Sequence, residues 1–320
     1  MKRIALVHPL SLVGKEFREQ VEARGDFPAE IRLYSLDDDD VGTVTDVAGA
    51  AAFVNRWGEA VADECDLAIF CGDLARDRQA RALLPAALRA LTLSPGAGRE
   101  DGVPAVAGIQ ENSWTGETRT IAPAPTALLI ARLIEAVAPA RILDLTATAL
   151  LPVSELGQAA LDHLFEETTR LLNFGGRRKS TLFPSQVAFN VFPSGESGDE
   201  IERQLALIFG SEAPLATIRA LQAGLFHGIG ASLTFRLDED LTSAALRKRL
   251  ARSSRLKFAR HPHEPGTVDA AGSGQILLGD LHQGAADRHS LWATIDNLAA
   301  GRVENAIDVA LELVATAPAR

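Results

Sequence analysis

The segment RIALVHPLSLVGKEFREQVEARG (3–25) has the pattern of a short apolar strand, a loop and an amphipathic helix. Such a strand, loop and helix open dinucleotide-binding domains, where a glycine-rich loop lets backbone N–H groups contact the pyrophosphate. The loop here, HPLSLVG, contains one glycine, Gly14, where three are usual. Pro9 removes one backbone donor. His8 could contact a phosphate when protonated or could simply end the strand, and Ser11 is suited to cap the helix.

Four consecutive carboxylates, Asp37 to Asp40, follow the second apolar stretch, EIRLYSL (30–36). In a dinucleotide site, one acid at the end of the second strand accepts a hydrogen bond from the ribose 2′-hydroxyl, which favours NAD. Four carboxylates would repel the 2′-phosphate of NADP. The run is also typical of a solvated turn. A divalent cation is a third interpretation, although the chain has no EF-hand pattern to support it.

The two cysteines, Cys65 and Cys71, lie six residues apart in CDLAIFCG (65–72), which reads as a third apolar strand ending in a glycine turn at Gly72. This spacing within one connection argues against a disulfide, and two cysteines cannot complete a four-ligand zinc site. Cys71 would face a cofactor cleft, if one exists, or would serve as a small buried thiol.

Two further segments carry charged or ligating side chains. RKRLARSSRLKFAR (247–260) has seven cations in fourteen residues, which could bind an anionic partner such as RNA or form the solvated face of a helix. RHPHEP (260–265) contains His261 and His263, a weak metal signal for which a loop is the better interpretation. We therefore expect no metal site.

Composition limits the classes of function. The 320 residues are 47% hydrophobic and 23% charged, as in soluble globular proteins, and suffice for two domains. The net charge of −10 argues against a nucleic-acid-binding protein. No apolar run reaches the roughly 20 residues of a membrane span, and the N-terminus lacks a secretory pattern. A cytoplasmic protein is expected.

Apolar strands alternate with amphipathic helices over the first third of the chain. This alternation predicts an α/β fold with a doubly wound parallel sheet of the Rossmann type. The predicted strands are 3–8, 30–36, 65–72 and 103–109, and the segment 52–64 has helical spacing.

The pattern changes after about residue 140 and predicts a second domain of the α+β class. A strand and turn are predicted at 141–153, a long helix at 154–173, an irregular apolar segment at 177–195, strands at 230–237, 276–281 and 290–296, a short helix at 243–253 and a last helix at 303–317.

Several of these segments resemble the aspartate-semialdehyde dehydrogenases, and most closely their Usg-type paralogues. The resemblance is carried, in order, by LVGKEF, VSELGQAAL, FPSQVAFNVFP, GLFHGIGASLTF and SLWATIDNLAAGRVENAIDVAL. It implies a Rossmann-like NAD(P)-binding domain over 1–125, completed by the C-terminal helix (300–320), and a dimerisation domain over 126–299. Family enzymes convert aspartyl phosphate to its semialdehyde with NADP, using a cysteine nucleophile, a histidine base, and an arginine and a glutamine that hold the substrate.

The resemblance places the nucleophile within TIAPAPTALLIARL (120–133), most simply at Thr126. No cysteine lies in this stretch or after it. A threonine hydroxyl can attack an acyl carbon only beside a strong base. The alternative role for Thr126 is to cap a helix.

The other three catalytic positions are also substituted. The base position is Ile229, the arginine position is Gln222 and the glutamine position is Leu151. His227, two residues before Ile229, would share its face on a strand and could act as a displaced base, or could be a half-buried strand residue. Arg219 is a conceivable substitute for the arginine if the chain is shifted there.

The resemblance also assigns cofactor positions. The three loop glycines correspond to His8, Ser11 and Gly14, so only the glycine that packs helix against strand remains. Asn297 lies where family members approach the nicotinamide, or it caps the last helix. The residues expected at a nucleotide, if one binds, are His8, Ser11, Gly14, Asp37, Gly72 and Asn297.

Three functions remain open from the sequence. The first is a catalytically degenerate homodimer with a binding or scaffolding role, supported by the apolar segment FPSQVAFNVFP (183–193) as a subunit or domain contact. The second is an active aldehyde or acyl oxidoreductase that uses His227 and NAD. The third is a nucleotide sensor without chemistry. The expected cofactor is accordingly none or NAD, with NADP disfavoured by the four aspartates.

Overall fold

The structure is a computed structural model that describes residues 2–25, 27–62, 64–109, 114–176, 179–194, 197–260 and 264–316. The chain divides into two compact units. Unit 1 comprises Met1–Ala124 and Arg302–Arg320, and unit 2 comprises Pro125–Gly301. No helix in these ranges is long and apolar enough to cross a membrane.

Unit 1 is built on an eight-stranded sheet in the order β3-β4-β2-β1-β5-β6-β8-β7. All neighbouring strands are parallel except β3 and β4. The predicted doubly wound parallel sheet is confirmed. Its strands are β1 (Lys2–Val7), β2 (Ala29–Ser35), β3 (Val44–Val47), β4 (Ala50–Arg56), β5 (Leu67–Phe70), β6 (Arg89–Thr92), β7 (Val103–Pro104) and β8 (Arg119–Ile121), and its helices are α1 (Leu12–Arg24), α2 (Glu59–Ala62), α3 (Leu74–Arg81) and α9 (Glu304–Ala315).

The strand order reverses between β1 and β5, because the chain runs from β1 outward through β2 and β4 and then returns to the other side of β1. In open parallel sheets, ligands bind beyond the carboxyl ends of the strands at this reversal. Residues that follow β1 and β5 are therefore the first place to look for a site in unit 1.

The helix predicted from the spacing of 52–64 is wrong. β4 continues to Arg56, and only Glu59–Ala62 is helical. Val54 pairs with Leu33 of β2, and Trp57 is buried with its Nε1 donating to the carbonyl of Ala80 at 2.9 Å. Sheet pairing thus outweighs the local helical spacing.

The fourth predicted strand, 103–109, is reduced to Val103–Pro104. β6, at Arg89–Thr92, takes the place beside β5 instead. The apolar residues after Pro104 are buried, but their backbone does not extend the sheet. The run of apolar residues that predicted a strand therefore reflects burial of this segment and not sheet pairing.

Unit 2 contains a seven-stranded mixed sheet in the order β10-β11-β9-β12-β15-β14-β13, as expected for the α+β class. The long helix predicted at 154–173 begins at Gln158, after a 3-10 turn at Val153–Leu156. The strands are β9 (Ile142–Leu151), β10 (Val191–Pro193), β11 (Leu215–Ala223), β12 (Ile229–Leu237), β13 (Leu256–Phe258), β14 (Ile276–Gln283) and β15 (Arg288–Ile295), and the helices are α4 (Pro125–Val137), α5 (Gln158–Leu172), α6 (Ser197–Phe209), α7 (Ser243–Leu250) and α8 (Thr267–Ala270).

The two faces of this sheet differ in chemistry. One face buries apolar side chains such as Leu145, Ala147, Leu233 and Leu291. The residues between them in the same strands point the other way, since side chains alternate along a strand. They form an exposed or half-buried row of hydroxyls, here called the hydroxyl face: Thr146, Thr148, Thr217, Ser232, Thr234 and Ser290.

The apolar segment 183–193 is held in place by one buried carboxylate. Glu167 of α5 accepts hydrogen bonds from the backbone N–H groups of Val187 and Ala188 at 2.9 and 2.8 Å. Val187 and Phe183 are buried in unit 2 itself, whereas Phe189 is 70% exposed. Only part of this segment is therefore available to a partner.

Acid is expected to destabilise unit 2 through His289 of β15. Its ring is buried against Phe235, and burial lowers the pKa of His289 below its ordinary value of 6.5. The folded state then binds the proton more weakly than the unfolded state, so stability falls as the pH drops from about 6.5 through the lower folded pKa. Urea unfolding at several pH values should show this loss in the wild type.

The matched variants are His289→Gln and His282→Gln, the second at an exposed position of β14. His289→Gln should flatten the pH dependence below about 6.5, although it lowers stability at neutral pH. An unchanged slope in His289→Gln would assign the acid sensitivity to other groups.

Candidate functional site

His8 follows β1 directly and is buried, 4% exposed, with a positive φ of 59°. Its Nδ1 lies 2.6 Å from Oδ1 of Asp77, a fully buried residue of α3. The other carboxylate oxygen of Asp77 accepts a hydrogen bond from the hydroxyl of buried Ser94. His8, Asp77 and Ser94, here called the His8 cluster, therefore connect the segments that follow β1 and β6 to α3.

The electrostatics of the His8 cluster are dominated by burial. Burial raises the pKa of Asp77, and the hydrogen bonds from His8 and Ser94 oppose that shift in part. When Asp77 is ionised it can only accept, and Nδ1 of His8 is then the donor in their bond. Nε2 of His8 is buried and has no hydrogen-bond partner in the described part of the chain. The structure thus contains an oriented imidazole whose second nitrogen is closed off.

Ser11 ties the loop to the neighbouring strand end. Its Oγ accepts from the N–H of Gly14 at 3.0 Å, which makes it the N-cap of α1, and donates to the carbonyl of Cys71 at 2.6 Å. The Cys71 side chain is buried, and burial, aided by the nearby charge of Asp77, raises its pKa well above the ordinary value. A thiol so disposed is a poor nucleophile and suits the interior role.

Gly14 and Gly72 are needed for packing between protein segments. A Cβ on Gly14 would lie 2.7 Å from the carbonyl oxygens of both His8 and Pro9, so this glycine lets α1 approach the loop. A Cβ on Gly72 would lie 2.6 Å from Nδ1 of His8 and 2.9 Å from Oδ1 of Asp77. Gly72 therefore makes room for the His8 cluster.

Gly72→Ala is expected to lower the free energy of unfolding by about 1–3 kcal/mol, because the methyl group must displace buried, hydrogen-bonded side chains. Gly58→Ala is the control, since a Cβ on Gly58 meets nothing within 4 Å. That control should change stability by less than about 1 kcal/mol. Equal unfolding midpoints in urea for the two variants would contradict the tight contact between Gly72 and His8.

The four consecutive aspartates form a turn held by ion pairs. Asp37 pairs with Arg76, Asp38 pairs with Arg56, and Asp40 accepts from the hydroxyl of Ser35 at 2.8 Å. The hydrogen bond from Arg76 lowers the pKa of Asp37. Asp37, predicted at a ribose hydroxyl, is thus already paired with an arginine of α3.

Three of the four catalytic positions lie at one end of the unit 2 sheet. Gln222 at the end of β11 is the register partner of Leu151 at the end of β9, and Leu150 is the partner of Gly230, next to Ile229 at the start of β12. Thr126 lies in the first turn of α4. The three sheet positions are therefore neighbours in the folded chain, and none of them carries the side chain that the resemblance assigns to it.

None of these side chains is prepared for acyl transfer. The Gln222 amide donates to the carbonyls of Leu151 and Ala223 at 3.0 and 3.2 Å. Ile229 is fully buried and apolar. Thr126 is 1% exposed, and its Oγ1 has no hydrogen-bond partner in the ranges described. The predicted helix-capping role of Thr126 is therefore wrong, since its hydroxyl caps nothing and the residue lies inside α4.

The two proposed substitutes are displaced from these positions. His227 was expected on a strand beside Ile229, but it lies exposed in the turn before β12, because β12 begins only at Ile229. Arg219 is exposed on β11, three residues from Gln222 and therefore on the opposite face. The expected placement of His227 is therefore wrong, and the shift that would bring Arg219 to the Gln222 position is absent from β11.

Asn297 is fully buried and connects two turns of unit 2. Its Oδ1 accepts from the N–H of Gly228 at 2.9 Å, and its Nδ2 donates to Ser154 Oγ at 3.0 Å and Glu155 Oε1 at 2.8 Å. Asn297 does not cap the last helix, as one interpretation held. The Oδ1 of Asp296 accepts from the N–H groups of residues 298 and 299, at the start of the π-helical turn Ala299–Val303 that precedes α9.

The basic stretch 247–260 comprises the end of α7, the turn after it and β13, and its cations are exposed or half-buried. Arg249 pairs with Glu239 at 2.8 Å, and the Arg247 guanidinium lies 4.0 Å from the centre of the Phe258 ring. The solvated-face interpretation accounts for this arrangement.

His261 and His263 lie outside the described residues. Within the segments that are described, no three His, Cys, Asp or Glu side chains come together in a way that could hold a metal ion. Cys65 and Cys71 are buried thiols that are not joined in a disulfide.

Comparison with known proteins assigns the family. The family model for the semialdehyde dehydrogenase dimerisation domain matches residues 130–300, more than half of the chain. This chain belongs to the semialdehyde dehydrogenase family. A USG-1 protein homologue from Azotobacter vinelandii is 30% identical over 197 residues, covering 56% of this chain and 58% of that protein. The chain spans about half the length of the curated relatives it matches.

Solved structures of the family share the fold. Aspartate semialdehyde dehydrogenase II from Vibrio cholerae, in complex with ASA, is 18% identical with a TM-score of 0.88 and covers 99% of both chains. The enzyme from Candida albicans, solved with NADP, is 13% identical with a TM-score of 0.68 and covers 98% of this chain and 99% of that one. At these identities the likeness establishes the fold alone.

A nicotinamide dinucleotide, which the family implies, does not fit the residues of unit 1. The pyrophosphate needs a loop whose backbone is open to the ligand, and the ribose of NAD needs an available carboxylate after the second strand. Here the Ser11 hydroxyl is used within the protein, the His8 ring fills the space against Gly72, and Asp37 is paired with Arg76.

Sequence reasoning missed the partners that define these sites. Asp77 and Ser94 in unit 1, and Ser154 and Glu155 in unit 2, carry no motif. Asp77 lies in LARDRQAR, which has the composition of a solvated helix, so nothing local distinguishes its buried carboxylate from the exposed charges around it.

Proposed function

We propose that this chain is a homodimeric member of the semialdehyde dehydrogenase family that does not catalyse acyl transfer and instead has a binding or scaffolding role. The proposal rests on the residues found at the two positions where family enzymes have the nucleophile and the base. The first holds Thr126, whose buried hydroxyl has no hydrogen-bond partner in the described segments, and the second holds the fully buried, apolar Ile229.

The chemistry of the reaction makes these two substitutions decisive. A hydroxyl must lose its proton to a nearby base as it attacks an acyl carbon, and covalent catalysis fails without that base. Loss of a nucleophile or a base alone typically removes several orders of magnitude in rate. Gln222 is also neutral and already bonded to backbone carbonyls, so it offers no cation for a substrate carboxylate.

The test is a dehydrogenase assay on the full chain. Phosphate-dependent oxidation of aspartate semialdehyde is followed as absorbance of reduced NAD or NADP, and we expect no turnover above the uncatalysed rate. Thr126→Ala should give the same result. Turnover on the order of 1 s⁻¹ or faster would contradict the proposal. Loss of such turnover in His227→Ala would then assign the activity to the displaced histidine.

The homodimer is supported by the hydroxyl face of unit 2. Short hydroxyl side chains from four neighbouring strands form the middle of this face, which also carries Trp292 and the ion pairs of Asp144 with Arg236 and Arg288. A second sheet can pack against such a face at about 10 Å. The face belongs to the segment that matches a dimerisation domain. We therefore propose that two copies pack through their hydroxyl faces.

We place this dimer in the cytoplasm. The buried thiols Cys65 and Cys71 form no disulfide, which suits a reducing compartment. The proposed role needs no cofactor, since it rests on the surfaces of a stable dimer.

A further inference from the structure

We infer that the ligand end of the unit 1 sheet is closed by the chain's own side chains, so that this protein binds neither NAD nor NADP. This inference goes beyond the proposed function, which concerns the catalytic positions of unit 2. It rests on three closures within unit 1, at the pyrophosphate loop, at the strand reversal and at the ribose end.

The first closure is the loop itself. The Ser11 hydroxyl donates a hydrogen bond to the Cys71 carbonyl at 2.6 Å and accepts one from the Gly14 N–H at 3.0 Å. The Pro9 carbonyl accepts from Arg18 Nε at 3.2 Å, and Pro9 has no N–H to offer. The loop is thus bonded to β5 and α1, at the place where a pyrophosphate would have to approach it.

The second closure is the His8 cluster at the strand reversal. The His8 ring packs against Gly72 so closely that a Cβ there would lie 2.6 Å from Nδ1. The Gly72 N–H bonds to Asp77, so a donor at the end of β5 is also occupied. A ligand could enter only by displacing a buried imidazole and leaving Asp77 without partners, at about 1–3 kcal/mol for each unsatisfied group.

The third closure lies after β2. Arg76 of α3 pairs with Asp37, so a ribose hydroxyl would have to compete with an arginine for this carboxylate. Asp38 and Asp40 are also engaged, with Arg56 and Ser35.

The direct test is calorimetric titration of the full wild-type chain with NAD and, separately, with NADP. We expect no saturable heat with either dinucleotide up to about 1 mM. Saturable binding of either one with a Kd in the micromolar range would overturn the inference. No substrate is present, so the outcome does not depend on whether the chain has dehydrogenase activity.

A second measurement observes the closure itself. The proton between His8 Nδ1 and Asp77 should give a low-field signal in a ¹H–¹⁵N imidazole spectrum, identified by its absence in His8→Gln. We expect the signal to be present in the wild type and to stay in place when either dinucleotide is added at millimolar concentration. Absence of the signal, or a saturable shift on adding a dinucleotide, would show that the His8 cluster is open.

Discussion

Replacing Asp77 by alanine should lower the free energy of unfolding by about 2–6 kcal/mol, since each of two buried donors left without an acceptor costs about 1–3 kcal/mol. Asp77 is fully buried and is the acceptor for His8 Nδ1 and for the Ser94 hydroxyl. Alanine would leave both donors without a partner in the interior of unit 1. Urea unfolding followed by circular dichroism measures the loss.

Two further variants separate this network from helix effects. Asp73→Ala, in the same helix, removes an exposed N-cap carboxylate that accepts from the Arg76 N–H, and should cost only about 1 kcal/mol. Asp77→Asn keeps the shape and an acceptor oxygen for His8, so it should recover part of the loss. If Asp77→Ala were no more destabilising than Asp73→Ala, the His8 cluster would contribute little to stability.

The arrangement of unit 1 was largely predictable, because strand, loop and helix are encoded locally in 3–25. Phe17 and Val21, four residues apart, and Gly14 at the first turn of α1 define the buried side of that helix. The segment 52–64 was not predictable in this way. Its helical spacing is real, but pairing of Val54 with β2, distant in sequence, decides the outcome.

The sequence predicts which positions belong to the candidate site, but it does not predict which side chains they contact. His8, Ser11 and Gly72 can be found from the loop and strand pattern, and Thr126, Leu151, Gln222 and Ile229 from the resemblance. What His8 and Asn297 contact depends on the packing of segments 69 to 143 residues away. No local pattern carries that information, so the closure of the loop became visible only in the folded chain.

An arginine at Ser232 is expected to convert the proposed dimer to a monomer. Ser232 lies at the middle of β12, a central strand, with Thr148 of β9 and Trp292 of β15 as its register partners. A long charged side chain there would hold two hydroxyl faces apart and bury its charge if they closed. A central interface substitution of this kind costs about 2–4 kcal/mol, which weakens dimerisation about 30- to 1000-fold.

The control for Ser232→Arg is Phe53→Arg on β4, where the phenylalanine is 64% exposed in unit 1. Both variants place an arginine on an exposed strand position, but only Ser232 belongs to the hydroxyl face. Sedimentation analysis at micromolar concentration should find the Phe53 variant dimeric and the Ser232 variant monomeric, each with a wild-type circular dichroism spectrum. A dimeric Ser232→Arg would move the subunit contact to the apolar side chains outside this face, Phe189 and Val191, which remain exposed in the single chain. Because folding is verified independently, the comparison tests the location of the interface separately from the existence of the dimer.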